Sequence, residues 1–223
     1  LTFTDVYVGL EGEMGQFEIN NATKGLKKAI LEDFNNSYPS LKGQVTADQL
    51  CSLENVLGID IGEGTTDYTV ITNGHANPVA SVSMSTGYGN VLESAVGILQ
   101  NESMNIPDRN ALRHFLNEPA VMPTKRARQK HAQETVNDQL THFNDDIIEK
   151  TSQVMRQAGT DLEAAFVFGG GSVPLLKETD LRPRLVNKLK GFAGGYDIPV
   201  IWIDPKYAQE LNMMGLTTYL KYF

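Results

Sequence analysis

Apolar positions fall into two rhythms along the chain. Unbroken or alternating apolar runs mark strands at 3–10, Val56–Asp60, Asp67–Thr72, 164–168 ("AAFVF") and "PVIWI". Asn73-Gly74 predicts a tight hairpin, with "NPVASVSMS" as the returning strand. A spacing of three to four predicts helices elsewhere. In 22–36, Leu26, Ile30 and Phe34 share one face, and "ADQLCSL" gives one short turn of helix. Further helices are predicted at 90–100 and at 107–117, where Pro107 suits a first turn. The longest is predicted from Thr124 to Ala158, with Val136, Leu140, Phe143, Ile147, Val154 and Met155 in one stripe and Gly159 as its stop. An amphipathic helical pair follows as far as Lys190, and Asp204-Pro205 opens a last helix over 205–221. Strands alternating with helices predict an α/β fold, a mixed sheet flanked by helices. The segment 101–125 is the most loop-like and reads as an insertion.

Composition narrows the class. The chain has 223 residues with 41% hydrophobic and 21% charged positions, ordinary for a globular protein. A net charge of -8 argues against direct binding to nucleic acid or to an anionic membrane. Cys51 is the single cysteine, so no disulfide framework exists and a cytoplasmic setting is expected. No apolar run reaches membrane-spanning length. The chain opens on Leu1 rather than Met and enters a strand at once. It is therefore expected to be a piece of a longer protein whose first part is missing.

Chemistry concentrates in two glycine turns. In "IDIGEGTTDYTV", Gly62 and Gly64 let the backbone turn sharply and expose successive N–H groups, with Thr65 and Thr66 adding hydroxyls. Asp60, at the end of a buried strand, is costly as a bare carboxylate and suits a divalent cation or its bound water. The stretch by itself fits either a Mg²⁺-nucleotide site or a plain hairpin with Asp60 as a turn cap. No Gly-Lys-Ser/Thr ends it, so it is not a P-loop. In "AFVFGGGSVPLL" a buried strand runs into Gly169, Gly170, Gly171 and Ser172 and then a helix, an arrangement open to a flat or anionic ligand or to a flexible turn. His75, His114, His131 and His142 have no metal-ligand spacing. Cys51 reads as half-buried and inert, Lys125–Lys130 as a solvated basic face, and Trp202 and Tyr219 as core.

Taken together, "IDIGEGTTDYTV" resembles the second phosphate loop, and "FVFGGGS" the adenosine motif, of the actin, Hsp70 and sugar-kinase superfamily. Within it the chain is most similar to the bacterial actins of the ParM and StbA type, which segregate plasmids. "VYVGLEGEMGQF" looks like the segment before that loop, "SMSTGYGNVLESAV" like the glycine turn after the hairpin, and "YAQELNMMGLTTYL" like the closing helix, with Asn212 and Gly215 at matching places. The resemblance covers the family's second half. It divides the chain into a connecting segment, 1–56, and a nucleotide-binding domain, 57–223. It lacks the first Asp-x-Gly phosphate loop, and 17–55 is longer than the family pattern.

The resemblance implies hydrolysis of ATP or GTP with Mg²⁺. Asp60 would hold the hydrated metal, and Glu11 would orient or deprotonate the attacking water, with Glu13 or Gln16 as alternatives. Gly62, Gly64, Thr65, Thr66 and Gly87 would border the phosphates, and Gly169 to Ser172 the ribose and α-phosphate. Thr66 and Asp67 are expected to fix the loop, and the base to meet the long helix. The implied protein self-associates into filaments and works with a DNA-binding adaptor. The alternatives are a small-molecule kinase of the same superfamily and an isolated, non-catalytic subdomain.

Overall fold

The computed structural model describes residues 11–158 and 161–222. Its sheet is built on β1 (Val56–Ile61), which pairs antiparallel with β2 (Thr66–Thr72) and parallel with β5 (Ala164–Phe168). Strand β6 (Val200–Trp202) adds parallel to β5. On the far side of β2 lie the short strands β3 (His75–Ala76) and β4 (Val82–Met84), giving the order β3-β2-β1-β5-β6 with β4 also on β2.

Helices cover both faces, so the central strands read as continuous apolar runs rather than alternating ones. On one face Leu57, Ile59, Val167 and Trp202 pack against α4 (Tyr88–Asn101), α6 (Pro123–Ala158), α7 (Ser172–Glu178) and α8 (Leu181–Phe192). The short α5 (Arg109–Asn117) anchors there through Leu112. On the other face Val56, Phe166, Phe168 and Ile201 meet α1 (Glu11–Asn20), α2 (Lys24–Ser37), α3 (Ala47–Cys51) and α10 (Leu211–Tyr219). The 36-residue α6 carries the predicted stripe: Val136, Leu140, Phe143, Ile147 and Val154 are all buried. Residues 11–55 are thus largely helical and lie on the sheet.

Three predicted elements differ, each for a reason visible in the hydrogen bonds and caps around it. The returning strand breaks because Asn77 captures the amides of Ala80 and Ser81 in a turn (3.2 and 3.0 Å). The Ser81 hydroxyl then accepts the Val70 N–H in place of a ladder bond (3.0 Å). Pro107 stands before α5, whose cap is Asp108. The last helix is split into α9 (Pro205–Ala208) and α10, because the Ala208 carbonyl accepts the Gly169 N–H (2.9 Å). Trp202 is core as expected, Tyr219 is only half-buried, and Cys51 is fully buried. Burial pushes the Cys51 thiol up to about 11, which leaves it unreactive. The predicted strand 3–10 and the Gly159 stop lie outside the described residues.

Among the described residues strand β6 is the sheet's outer edge, and side chains engage the outward groups of Val200 and the Trp202 N–H. The Val200 N–H donates to the Tyr38 hydroxyl (2.7 Å) and the Trp202 N–H to Asp33 Oδ2 (2.9 Å). Arg182 donates to the Val200 carbonyl and to both oxygens of Asp33. Asp33 and Arg182 are about four-fifths buried, at 19% and 20% side-chain exposure. Asp33→Ala strands a guanidinium and an amide, so it is expected to lower the unfolding free energy by about 3 kcal/mol. Lys27→Ala, which removes an ion pair to a well-exposed Asp48, should cost far less, because solvent screens the pair. Urea denaturation of both variants checks this, and equal losses would refute it.

Candidate functional site

Both glycine turns leave the same end of the sheet. Strands β1 and β5 run parallel with Asp60 opposite Phe168, so the turn after each emerges side by side at their carboxyl ends. Such a crevice is the usual ligand site of an open α/β sheet. The turns are joined directly, since the Gly171 N–H donates to the Ile61 carbonyl (2.8 Å).

Asp60 sits between them and is 7% exposed. Gly169 takes φ +88°, and a methyl there would overlap both Asp60 Oδ1 and the Ile61 carbonyl. Glycine is therefore required twice over, by conformation and by the approach of the carboxylate. Asn212 on α10 donates from Nδ2 to Asp60 Oδ2 (2.6 Å), fixing the carboxylate plane. Across the β1–β2 ladder Asp67 stands opposite Asp60. Directly opposed carboxylates share one face and repel unless cation or donors intervene. The Thr65 hydroxyl relieves Asp67, donating to its Oδ2 (2.8 Å). That face also receives α1, whose Gly12 lies against Thr69. Glu11 is the first residue of α1, and its side chain is outside the described residues. Of the two alternatives, Glu13 is half-buried and Gln16 is buried.

The first turn is braced from below and open above. The Gly62 N–H is spent on the Thr65 carbonyl (2.9 Å), so Gly62 supplies shape rather than a donor. Thr66 is fully buried and donates to the Thr86 carbonyl (2.9 Å), a bracing role. Glu63, Gly64 and Thr65 are exposed, and a methyl on Gly64 would meet nothing within 4 Å. The first residues of α4 carry the loop: the Tyr88 N–H donates to the Gly62 carbonyl (3.0 Å) and the Gly89 N–H to the Glu63 carbonyl (2.8 Å). Gly87 caps α4, its N–H donating to Asn90 Oδ1 (2.9 Å), and the loop backbone passes too close for any side chain there. In the second turn Gly170 is exposed, while Ser172 is buried and donates to the Gly169 carbonyl (2.7 Å).

Among the described residues no group of three or more His, Cys, Asp or Glu side chains is placed to hold a metal. A hydrated Mg²⁺ would need only one or two carboxylates beside substrate phosphates, and Asp60, with Asp67 opposite it, could supply them. Gly169, lacking a side chain, lets the second turn close directly onto the Asp60 carboxylate. The sequence reading missed Asn212 as a partner of Asp60. The two are 152 residues apart, and no local pattern links them.

The family model described as "Archaeal actin homologue MreB-like, C-terminal" matches residues 58–180, more than half of the chain. Among solved structures, the archaeal actin homologue Ta0583 is 16% identical and superposes with a TM-score of 0.50, covering 91% of this chain and 56% of its own. Bacillus thuringiensis ParM, solved with ADP, is 12% identical with a TM-score of 0.51, covering 77% of this chain and 49% of its own. The chain thus spans about half the length of these structures, whose likeness is one of fold. No curated protein matches it. From its family match, and with a mixed sheet flanked by helices, the chain belongs to the archaeal MreB-like actin homologues, as their C-terminal domain.

Proposed function

We propose that this chain is the second, nucleotide-binding half of a filament-forming actin-like triphosphatase that uses Mg²⁺ and ATP or GTP. The observation that carries the reading is the pair of fused glycine turns with Asp60 buried between them. The exposed rim at Gly64 and Thr65 would meet the terminal phosphates, and the Gly169–Gly171 turn the nucleoside side. Asp60, held by Asn212, would bind metal-ordered water, and Glu11 at the head of α1 would orient the attacking water. The metal, when bound, would neutralise phosphate charge. Self-association into filaments and a part in plasmid or DNA segregation through an adaptor, in the cytoplasm, belong to the same proposal and rest on the sequence resemblance to the bacterial actins.

The family's cleft lies between two domains, and this chain supplies one side. Losing two or three charged hydrogen bonds to phosphate, each worth about 1.5–3 kcal/mol, weakens binding by roughly a hundredfold or more. The isolated chain is therefore expected to fold, because its sheet is covered on both faces, yet neither to hydrolyse ATP or GTP nor to pellet as filaments. The full-length protein should do both. Calorimetric titration and sedimentation of the two proteins side by side decide it. A full-length protein that binds no nucleotide would overturn the reading, and micromolar binding by the isolated chain would show a cleft complete in one half.

A further inference from the structure

The phosphate-facing loop carries its own acid. Glu63 lies in the turn between β1 and β2, where an approaching polyphosphate meets a like charge. Its carboxylate is not left in the cleft. Arg113, fifty residues later on α5, donates from Nη2 to both Glu63 oxygens (2.9 and 3.1 Å). Arg109, one turn earlier on the same helix, places Nε 3.4 Å from Glu63 Oε1 and spends Nη1 on Glu93 of α4 (3.0 Å). The Arg113 guanidinium also stands over the Tyr88 ring, 5.7 Å from its centroid. All of this closes over Gly89, where a methyl would fall 2.5 Å from Arg109 Nη1 and 2.8 Å from Glu63 Cδ.

We infer that Arg109 and Arg113 are positioning residues for the phosphate loop. They draw Glu63 onto α5 and neutralise it, so that the turn presents backbone amides rather than a carboxylate to a nucleoside triphosphate. Two independent observations meet here. One is electrostatic: an anion site with an acid in its own turn needs compensation, and two guanidinium groups supply it. The other is steric: the close approach of Arg109 and Glu63 over α4 is made only because position 89 has no side chain. The clamp also gives the segment 101–125 a task, since α5 becomes the outer wall of the loop.

The inference rests on the nucleotide reading above, and its test separates the two. In the isolated chain, hydrogen exchange at the Gly62, Tyr88 and Gly89 amides reports the clamp without any ligand. Arg113→Ala is expected to speed exchange there about threefold or more while α2 and β5 stay unchanged. Unaltered exchange in that loop overturns the clamp whatever the protein binds. In the full-length protein, ATP affinity is read by calorimetry. Arg113→Ala should weaken it about fivefold, and Glu63→Gln should leave it equal or tighter. The double variant should recover the affinity of Glu63→Gln, since the repelling charge is gone. A double variant as weak as Arg113→Ala alone would show that Arg113 only braces the fold, and would overturn the electrostatic role.

Discussion

Asp60→Ala in the full-length protein is expected to abolish Mg²⁺-dependent phosphate release, with a fall of about a thousandfold or more. Asp60 lies at the join of both glycine turns, with its plane set by Asn212 and the Gly169 backbone packed close against it. On the proposed reading, removing it would leave the metal's charge uncompensated where phosphate oxygens are to be polarised. Asp60→Asn separates charge from shape: it keeps the size of the side chain but loses the anion, so it should be nearly as inactive. A phosphate-release assay over a Mg²⁺ series, on variants whose circular dichroism matches wild type, reads the effect. A rate within tenfold of wild type for either variant would remove Asp60 from the mechanism.

Gly215→Ala should be among the most destabilising single-methyl changes in the chain. In an exposed helix, Gly to Ala stabilises by about 0.5–1 kcal/mol, because glycine loses more backbone freedom on folding. Position 97 in α4 has nothing within 4 Å of an added Cβ, and Gly97→Ala should show that gain. At position 215 the methyl would lie 1.8 Å from the Met14 carbonyl oxygen, where α10 crosses α1. Backbone is what it meets, so no rotamer change relieves it. One helix must lift, and with it go the Thr218–Glu18 hydrogen bond (2.6 Å) and the Phe17–Tyr219 ring contact. Overpacking of this kind outweighs propensity, and a net loss of about 3 kcal/mol is expected. Thermal unfolding of the pair gives opposite signs if the packing is as described. A Gly215→Ala protein as stable as wild type would show that α1 and α10 are not in van der Waals contact.

Most of the secondary structure was legible in the sequence, and the failures turn on particular hydrogen bonds, one local and one distant. Leu26, Ile30 and Phe34, the α6 stripe and the runs at Val56 and Ala164 follow rules of period and burial that act over a few residues. The break in the returning strand turns on Asn77 seizing two amides, a local competition that alternation does not register. The split of the last helix depends on Gly169, almost forty residues upstream, taking the Ala208 carbonyl. The candidate site divides the same way. Its glycines and Asp60 announce themselves by type and spacing. That Thr66 and Ser172 turn inward, that the Gly62 amide is already spent, and that Asn212, Arg109 and Arg113 complete the surroundings are facts of tertiary placement.

The capped edge of β6 bears on how copies of this protein can meet. An open strand edge is a template: another chain can lay its own strand along it and continue the ladder. Here Tyr38, Asp33 and Arg182 already occupy the outward groups of Val200 and Trp202. At the opposite border the strands are only two and three residues long. Sheet extension at β6 would first have to displace a bidentate ion pair and a tyrosine. A polymer of the kind proposed is therefore expected to grow through side-chain surfaces rather than by cross-β addition, and so to come apart again without unfolding its subunits.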